Sequence, residues 1–194
     1  FEESYAYFYK WPYGTRGSYI TELNFDRTGK WELRAELLGA THGPGEARIP
    51  FSVIRESPVV DVGEKAPLSI NATLNEVPNI GHLTSSANPD PELYLHSLDS
   101  ILGNGMPVVI SFASPAYCTS PSCGPQIETL SELKKIYKTQ SFFLHIELYE
   151  NLDQISANFD ARRVKPVVHQ WGISNVQGWK NESWTFVCNG AGIV

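Results

Sequence analysis

Two cysteines, Cys118 and Cys123, stand where one local sequence pattern ends and another begins. The nearly continuous apolar run from Val108 to Phe112 predicts a strand that is covered on both faces. Apolar residues then recur at helical spacing from Ile127 to Tyr137, which predicts an amphipathic helix. The unpaired N–H groups and the dipole at the start of a helix stabilise a thiolate. This placement predicts a reactive pair of thiols.

The order of the cysteines along the chain suggests a separate role for each. Cys118 follows the strand directly and is the candidate nucleophile, and Cys123 is the candidate resolving thiol. In such a cycle a thiolate attacks a disulfide and the second thiol then closes the pair. Glu147, on the next predicted strand, is a candidate carrier for the proton of the second thiol; a hydrogen-bonded structural acid is the alternative. His145, on the same strand, is expected to be structural.

This part of the chain resembles the thioredoxin-like superfamily, and most closely its extracytoplasmic bacterial branch. The resemblance lies in Phe-Ala-Ser-Pro-Ala-Tyr-Cys at 112–118, Cys-Gly-Pro at 123–125, Phe-Leu-His-Ile-Glu-Leu-Tyr at 143–149 and Trp-Thr-Phe-Val at 184–187. It covers residues 88–194. It implies an α/β thioredoxin-like fold and thiol–disulfide exchange. The substrate groove would be lined by Pro115, Tyr117, Ser183 and Trp184.

Two departures from the family pattern bear on activity. Redox-active thioredoxins have two residues between their cysteines, whereas four separate Cys118 from Cys123. The family usually has a cis proline before the strand that faces the cysteines, and Ser183 holds that place here. A cis bond before a residue other than proline costs about 3 kcal/mol, so a trans bond is expected. The alternative function is therefore a non-enzymatic scaffold or interaction subunit, at the cell surface or in a complex, with a structural disulfide.

Copper handling is a second alternative that the resemblance implies. Copper-delivering members of the superfamily use two loop cysteines and a distant histidine, and thiolates suit Cu(I). The ligands would be Cys118, Cys123 and either His145 or His169. The usual copper loop has three intervening residues, and the single methionine rules out a methionine cluster. Apart from the redox-active disulfide itself, no cofactor is expected.

Short antiparallel strands are predicted before residue 57, where apolar and polar residues alternate. The clearest strand is Trp31 to Leu37, and Asp-Arg-Thr-Gly at 26–29 predicts the turn before it. Pro50 predicts that the last strand lies at an edge or is bulged. The pattern indicates an immunoglobulin-like β-sandwich, which usually has about seven strands. The sandwich is therefore expected to be incomplete, with further residues upstream.

Two domains joined by a linker are predicted. The linker carries five prolines, and its apolar residues, such as Val59, Leu68 and Ile70, indicate that it wraps around the second domain. The second domain is expected to lack a C-terminal strand and helix that the family fold usually has. The predicted segments are a β-sandwich domain at 1–57, a proline-rich linker at 58–91 and a thioredoxin-like domain at 92–194. Within the last, a helix is predicted from Glu92 to Leu102 and strands from Phe142 to Tyr149 and from Trp184 to Cys188.

Composition narrows the choice of partners and compartment. The formal net charge is -6 without a cluster of basic residues, which argues against nucleic acid because phosphate binding needs clustered Lys and Arg. No apolar run reaches the roughly 20 residues of a membrane span, so a membrane is expected to be reached only through a missing anchor. Three cysteines with one close pair fit an oxidising compartment with a single disulfide, although the count fits a reduced cytosolic dithiol as well. We therefore expect a secreted, periplasmic or cell-surface protein that meets protein thiols, protein disulfides or a protein complex.

Overall fold

A computed structural model of the chain describes residues 2–10, 15, 17–37, 45–119 and 123–194. The chain forms two compact units, Phe1–Glu56 and Ser57–Val194. The strands are β1 Tyr7–Lys10, β2 Gly17–Ile20, β3 Gly29–Leu37, β4 Gly45–Val53, β5 Val108–Ala113, β6 Phe142–Glu147 and β7 Trp184–Cys188. The α-helices are α1 Leu98–Ile101, α2 Cys123–Tyr137, α3 Leu152–Ile155 and α4 Pro166–Gln170. Short 3-10 helices lie at Leu74–Glu76, Ile80–His82, Pro91–Tyr94, Phe159–Ala161 and Ile173–Asn175. Within the described ranges, every helix is too short or too polar to cross a membrane.

The first unit contains two antiparallel hairpins. β1 pairs with β2, and β3 pairs with β4 from Gly29 opposite Val53 to Leu37 opposite Gly45. Alternation along β3 places Trp31 and Leu33 on one face and charged residues on the other. The ring of Phe25 packs edge-on against Trp31, with ring centroids 5.1 Å apart. In the described residues the hairpins are separate sheets, so the immunoglobulin-like sandwich at 1–57 stays a prediction.

The second unit is built on a three-stranded sheet in the order β6-β5-β7. β5 pairs in parallel with β6 and antiparallel with β7. α2 connects β5 to β6, so the predicted strand–helix–strand unit is confirmed. Every residue of β5 except Val109 is buried, because apolar clusters cover both faces of the sheet. This explains why the strand is a continuous apolar run in the sequence.

The two faces of the sheet are covered by different clusters. On one face the ring of Trp171 packs against Phe112 and Phe186, with centroid distances of 5.5 Å and 4.7 Å. On the other face α2 contributes Cys123, Ile127 and Leu130. Side chains alternate along β6, so its odd-numbered residues share the face that α2 covers. The face that α2 covers therefore carries His145 and Glu147, the candidate site residues of β6.

The segment at 58–91 lies along the second unit. The N–H of Val60 donates to the carbonyl of Trp171 at 3.3 Å. Gly172 has a φ of 76°, and a Cβ there would collide with the carbonyl of Pro58, so only glycine fits this approach. Leu68 and Ile70, however, are 70% and 75% exposed, and their predicted burial is wrong. The buried residue of this extended stretch is Ser69, between them, whose Oγ accepts a hydrogen bond from Trp171 Nε1 at 3.2 Å.

The prediction of one helix from Glu92 to Leu102 is wrong. A 3-10 helix at Pro91–Tyr94 and the single-turn α1 take its place. The interruption comes from Asn71, whose Nδ2 donates to the His96 carbonyl at 3.1 Å and whose Oδ1 accepts from the Leu98 N–H at 2.8 Å. A linker side chain thus pairs with backbone groups that a continuous helix would pair internally.

Lys134 of α2 anchors this helix to the linker. Its Nζ lies 2.7 Å from Asp90 Oδ2 and 2.6 Å from Glu92 Oε2, and its side chain is 9% exposed. Burial acts to raise the pKa of Asp90, but the hydrogen bond from Lys134 and the Glu92 N–H bring it below its usual value. The pair is therefore ionised at neutral pH.

We expect Lys134→Met to lower the free energy of unfolding by about 1–2 kcal/mol, because Asp90 keeps its charge but loses its cationic partner. Partial exposure of the acids keeps the loss below that of a fully buried pair. Urea denaturation at pH 7 measures the change. The matched control is Lys135→Met, which removes an exposed pair with Glu132 and should leave stability unchanged. Equal stability of both variants and the wild type would contradict the anchoring role.

Candidate functional site

Cys118 and Cys123 are joined by a disulfide whose Cα atoms lie 6.3 Å apart. The bond spans five sequence positions and links the loop after β5 to the first residue of α2. Cys123 is 1% exposed, and Cys118 is half-buried. Cys118 is therefore the member of the pair that a molecule in solution reaches first.

The loop before Cys118 packs against the segment that follows β6. The Tyr117 ring stacks on Phe159 and meets Tyr149 edge-on, with centroid distances of 5.7 Å and 6.3 Å. The hydroxyl of Tyr117 donates to the carbonyl of Leu152 at 3.4 Å. The sequence-predicted groove residue Tyr117 is thus half-buried and held in place by its neighbours.

A turn at 180–183 lies against the same loop. Thr119 Oγ1 donates to the Lys180 carbonyl at 2.8 Å. Asn181 has a φ of 69°, in the left-handed region that asparagine tolerates better than most residues. The Tyr149 hydroxyl donates to Asn181 Oδ1, and the Ser183 hydroxyl donates to Gln126 Oε1 on α2. These side-chain bonds fix the turn beside the disulfide.

The sequence-predicted groove residues Pro115, Ser183 and Trp184 do not all lie on the same side of the sheet. Pro115 lines an open cleft of about 890 Å³ between the linker and α2. Ser183 faces α2 through Gln126, and the described backbone is trans throughout. Trp184 lies opposite Phe112 in the sheet and belongs to the core cluster on the other face. Pro115 and Ser183 are thus placed near the cysteine loop on the α2 side, and the Trp184 ring is not.

Glu147, the last residue of β6, is fully buried on the face that α2 covers. The strand register places it opposite Ala113, at the end of β5. Its Oε2 accepts hydrogen bonds from the Ser85 N–H at 2.8 Å and from Ser85 Oγ at 2.7 Å, and its Oε1 accepts from the Leu148 N–H at 2.9 Å. Burial raises the pKa of Glu147, although its hydrogen bonds and the charge of Lys165 act in the opposite direction. Burial thus favours the protonated form of this acid, which is a property of carboxyl groups that take up a proton at functional sites.

His145 is a neutral, hydrogen-bonded side chain in the same layer. Its Nε2 lies 3.0 Å from the Ala113 carbonyl, which can only accept, so Nε2 carries the proton. Its Nδ1 then accepts a hydrogen bond from the Tyr94 hydroxyl at 2.6 Å. Burial lowers the pKa of His145 to about 4. His145 therefore connects the end of β5 to the segment before α1 without carrying charge at neutral pH.

The predicted copper ligands are engaged with other groups in this structure. The two sulfurs are bonded to each other, and both ring nitrogens of His145 are hydrogen bonded. Nδ1 of His169, a residue of α4, lies 2.6 Å from Ser174 Oγ. In the part of the chain that the structure describes, His, Cys, Asp and Glu residues do not form a metal-binding group.

Ser85, Gln126 and Asn181 contact the site, and sequence reasoning did not identify them as site residues. Ser85 stands in a polar stretch of the linker with no local motif. Its contact with Glu147 spans 62 sequence positions. Gln126 occupies an ordinary polar position of an amphipathic helix. Only the three-dimensional arrangement identifies these residues.

Comparison of the chain with protein-family models, curated proteins and solved structures finds no match. The chemistry of the site itself is therefore the guide to its function. That chemistry comprises a partly accessible disulfide, a buried acid on the same sheet face and an adjoining cleft.

Proposed function

We propose that the protein is an extracytoplasmic, thioredoxin-like thiol–disulfide oxidoreductase that uses the Cys118–Cys123 pair. The observation that carries the proposal is a disulfide between a half-buried cysteine and the first, buried residue of a helix. The start of α2 favours negative charge on a nearby sulfur. The β5–α2–β6 unit with antiparallel β7 supports the thioredoxin-like interpretation, because that family shares this arrangement.

The reaction begins from the oxidised protein when a substrate thiolate attacks Cys118 Sγ. The bond to Cys123 breaks, and the Cys123 thiolate that leaves takes up a proton. A second substrate thiolate then attacks the mixed disulfide and displaces Cys118 as a thiolate. The substrate leaves as a disulfide, and the protein has gained two electrons. In reverse, the Cys118 thiolate attacks a substrate disulfide, and Cys123 loses its proton and resolves the mixed disulfide.

Glu147 is the proposed carrier of the Cys123 proton. Both residues lie on the sheet face that α2 covers, and both are buried. Burial raises the pKa of Glu147, so the carboxyl group holds a proton more readily than an exposed glutamate and suits the role of proton acceptor. The cleft of about 890 Å³ is lined by Pro115, Ala116 and Gly124, which are close to the cysteines in sequence, and it has space for a few side chains of a protein substrate.

The test is to measure the reduction potential in glutathione buffers together with insulin reduction. We expect a potential above about −300 mV, turnover by the wild type and none by Cys118→Ser. Cys188→Ser is the control, because Cys188 is a buried free thiol whose pKa burial raises to about 11. A potential below about −300 mV without turnover would identify a structural disulfide.

A scaffold with a structural disulfide is the second candidate. It is favoured by the turn at 180–183, which is bonded to the cysteine loop through Thr119 and Asn181 and restricts access from that side. The longer spacing between the cysteines also favours it. In this case the partner would be a protein complex at the cell surface, and reduction of the pair would change stability without supporting turnover.

A further inference from the structure

Ser85 connects the buried carboxyl group of Glu147 to the surface. The Ser85 hydroxyl donates to Glu147 Oε2 at 2.7 Å, and the Ser85 N–H donates to the same oxygen at 2.8 Å. The other carboxyl oxygen is engaged by the Leu148 N–H inside the end of the strand. Ser85 is half-buried, whereas Glu147 is fully buried. The hydroxyl of Ser85 is therefore where this acid approaches solvent.

Two clefts meet at Ser85. One is the cleft of about 890 Å³ along α2, and the other, of about 380 Å³, adjoins Tyr117 and Leu152. Ser85 and Ala116 line both clefts. The Ala116 N–H donates to Ser85 Oγ at 3.1 Å, two residues before Cys118. The same hydroxyl thus accepts from the cysteine loop and donates to the buried acid.

A second hydroxyl lies at the start of this loop. Ser114 Oγ is fully buried, and its hydroxyl acts to lower the pKa of Glu147, as a donor to the carboxylate does. A hydroxyl group can also accept a hydrogen bond, so Ser114 Oγ can accept one from a protonated Glu147. The surroundings of Glu147 therefore suit both of its protonation states.

We propose that Ser85 is a positioning residue that relays protons between Glu147 and the two clefts that Ser85 and Ala116 line. Its hydroxyl passes a proton to the Glu147 carboxylate and takes one from water or a substrate thiol in the cleft. One proton moves inward, and no electron is transferred. The reverse sequence releases the proton to the cleft. The relay rests on the proposed exchange reaction for its purpose, but the Ser85–Glu147 contact can be tested without a substrate.

Charged and titratable groups from other elements also face Glu147. Lys165, which precedes α4, lowers the pKa of Glu147 through its charge, while burial lowers the pKa of Lys165 itself. These effects are present in the wild type and in each variant below, so they do not alter a comparison between variants. Three tyrosines also lie within the influence of Glu147. Burial raises their pKa, and the charge of Glu147 raises it further; they are Tyr94, Tyr117 and Tyr149.

The test is to titrate the Glu147 carboxyl carbon by NMR in the oxidised full chain, with Glu147→Gln identifying its signal. We expect Ser85→Ala to raise the pKa of Glu147 by about one pH unit, because the carboxylate loses a charge-assisted hydrogen bond. Ser85→Thr retains the hydroxyl and should restore the wild-type value. Ser86→Ala, in the wall of the same 890 Å³ cleft, is the matched control and should not change it.

The pH–rate profile of disulfide exchange is the second readout. Its midpoint should move in Ser85→Ala by the same amount as the pKa of Glu147 and return in Ser85→Thr. An unchanged pKa in Ser85→Ala overturns the relay, and so does a shifted pKa with an unmoved profile. If the wild type performs no exchange, the proposed function fails, and the substrate-free titration alone then supports or overturns the link between Ser85 and Glu147.

Discussion

Cys123→Ser is expected to convert the protein into a trap for substrate disulfides, whereas Cys118→Ser is expected to abolish exchange. In Cys123→Ser the half-buried Cys118 still attacks a disulfide, but no thiol remains to resolve the mixed disulfide. The adduct should therefore persist until an external reductant is added. Mass spectrometry under non-reducing conditions, after incubation with insulin, measures the fraction of protein held in adducts.

The two single variants also test the order of attack. Cys123 is 1% exposed, so Cys118→Ser should form essentially no adduct even though Cys123 keeps its thiol. Cys188 is fully buried, and Cys188→Ser should behave like the wild type. Adducts in Cys118→Ser together with none in Cys123→Ser would reverse the proposed roles. An absence of adducts in both variants would favour the scaffold.

The elements that carry the cysteines could be predicted because their patterns are local. The apolar run of β5 and the helical spacing of α2 need only neighbouring residues to be recognised. β7 begins and ends as predicted, at Trp184 and Cys188. β6 ends at Glu147, two residues before the predicted end. The order of these elements along the chain was therefore sufficient to place the disulfide at the start of a helix.

The surroundings of the site could not be predicted, because they depend on contacts between distant parts of the chain. Asn71 interrupts the helix expected from Glu92 through bonds that span 25 and 27 sequence positions. Ser85 reaches Glu147 across 62 positions. A polar residue in a linker has no periodicity, so nothing in its local sequence distinguishes a surface serine from a partner of a buried acid.

In the first unit, the sequence pattern predicts the strands but not how they pack. Alternation correctly predicted that β3 has an apolar face with Trp31 and Leu33, since the register with β4 places Phe51 and Ile49 beside them. Alternation does not specify what covers such a face. Leu33 is 36% exposed and Ile49 is 55% exposed. A strand pattern therefore identifies an amphipathic hairpin but not the second sheet that a sandwich requires.

Acidification from pH 6.5 to pH 4 is expected to cost the second unit about 3 kcal/mol of stability through His145 alone. Burial lowers the pKa of His145 from 6.5 to about 4, so in this window the unfolded chain binds a proton that the folded chain excludes. The contribution of neutral His145 to the free energy of unfolding is therefore fully present above pH 6.5 and is lost as the pH falls toward 4. Urea denaturation followed by tryptophan fluorescence at a series of pH values measures the slope.

His145→Gln separates this effect from general acid denaturation. Glutamine can donate to the Ala113 carbonyl and accept from the Tyr94 hydroxyl, as His145 does, but it does not titrate. Its stability should fall less steeply between pH 6.5 and 4 than that of the wild type. His82→Gln is the control. The His82 side chain is exposed, so the substitution removes no buried contact and should keep the wild-type slope. Equal slopes in His145→Gln and the wild type would contradict the neutral, buried state of His145.

Glu147 acts on stability in the opposite direction over part of the same range. Burial raises its pKa above 4.5, so the folded chain binds the proton more tightly, and stability from this group increases as the pH falls toward 4.5. The loss caused by His145 is therefore partly offset in the wild type. Glu147→Gln removes the offset and should make the acid slope steeper, whereas combining it with His145→Gln should flatten the slope again. A buried histidine and a buried acid, two residues apart on one face of β6, thus limit the change in stability of the sheet beside the disulfide as the pH varies.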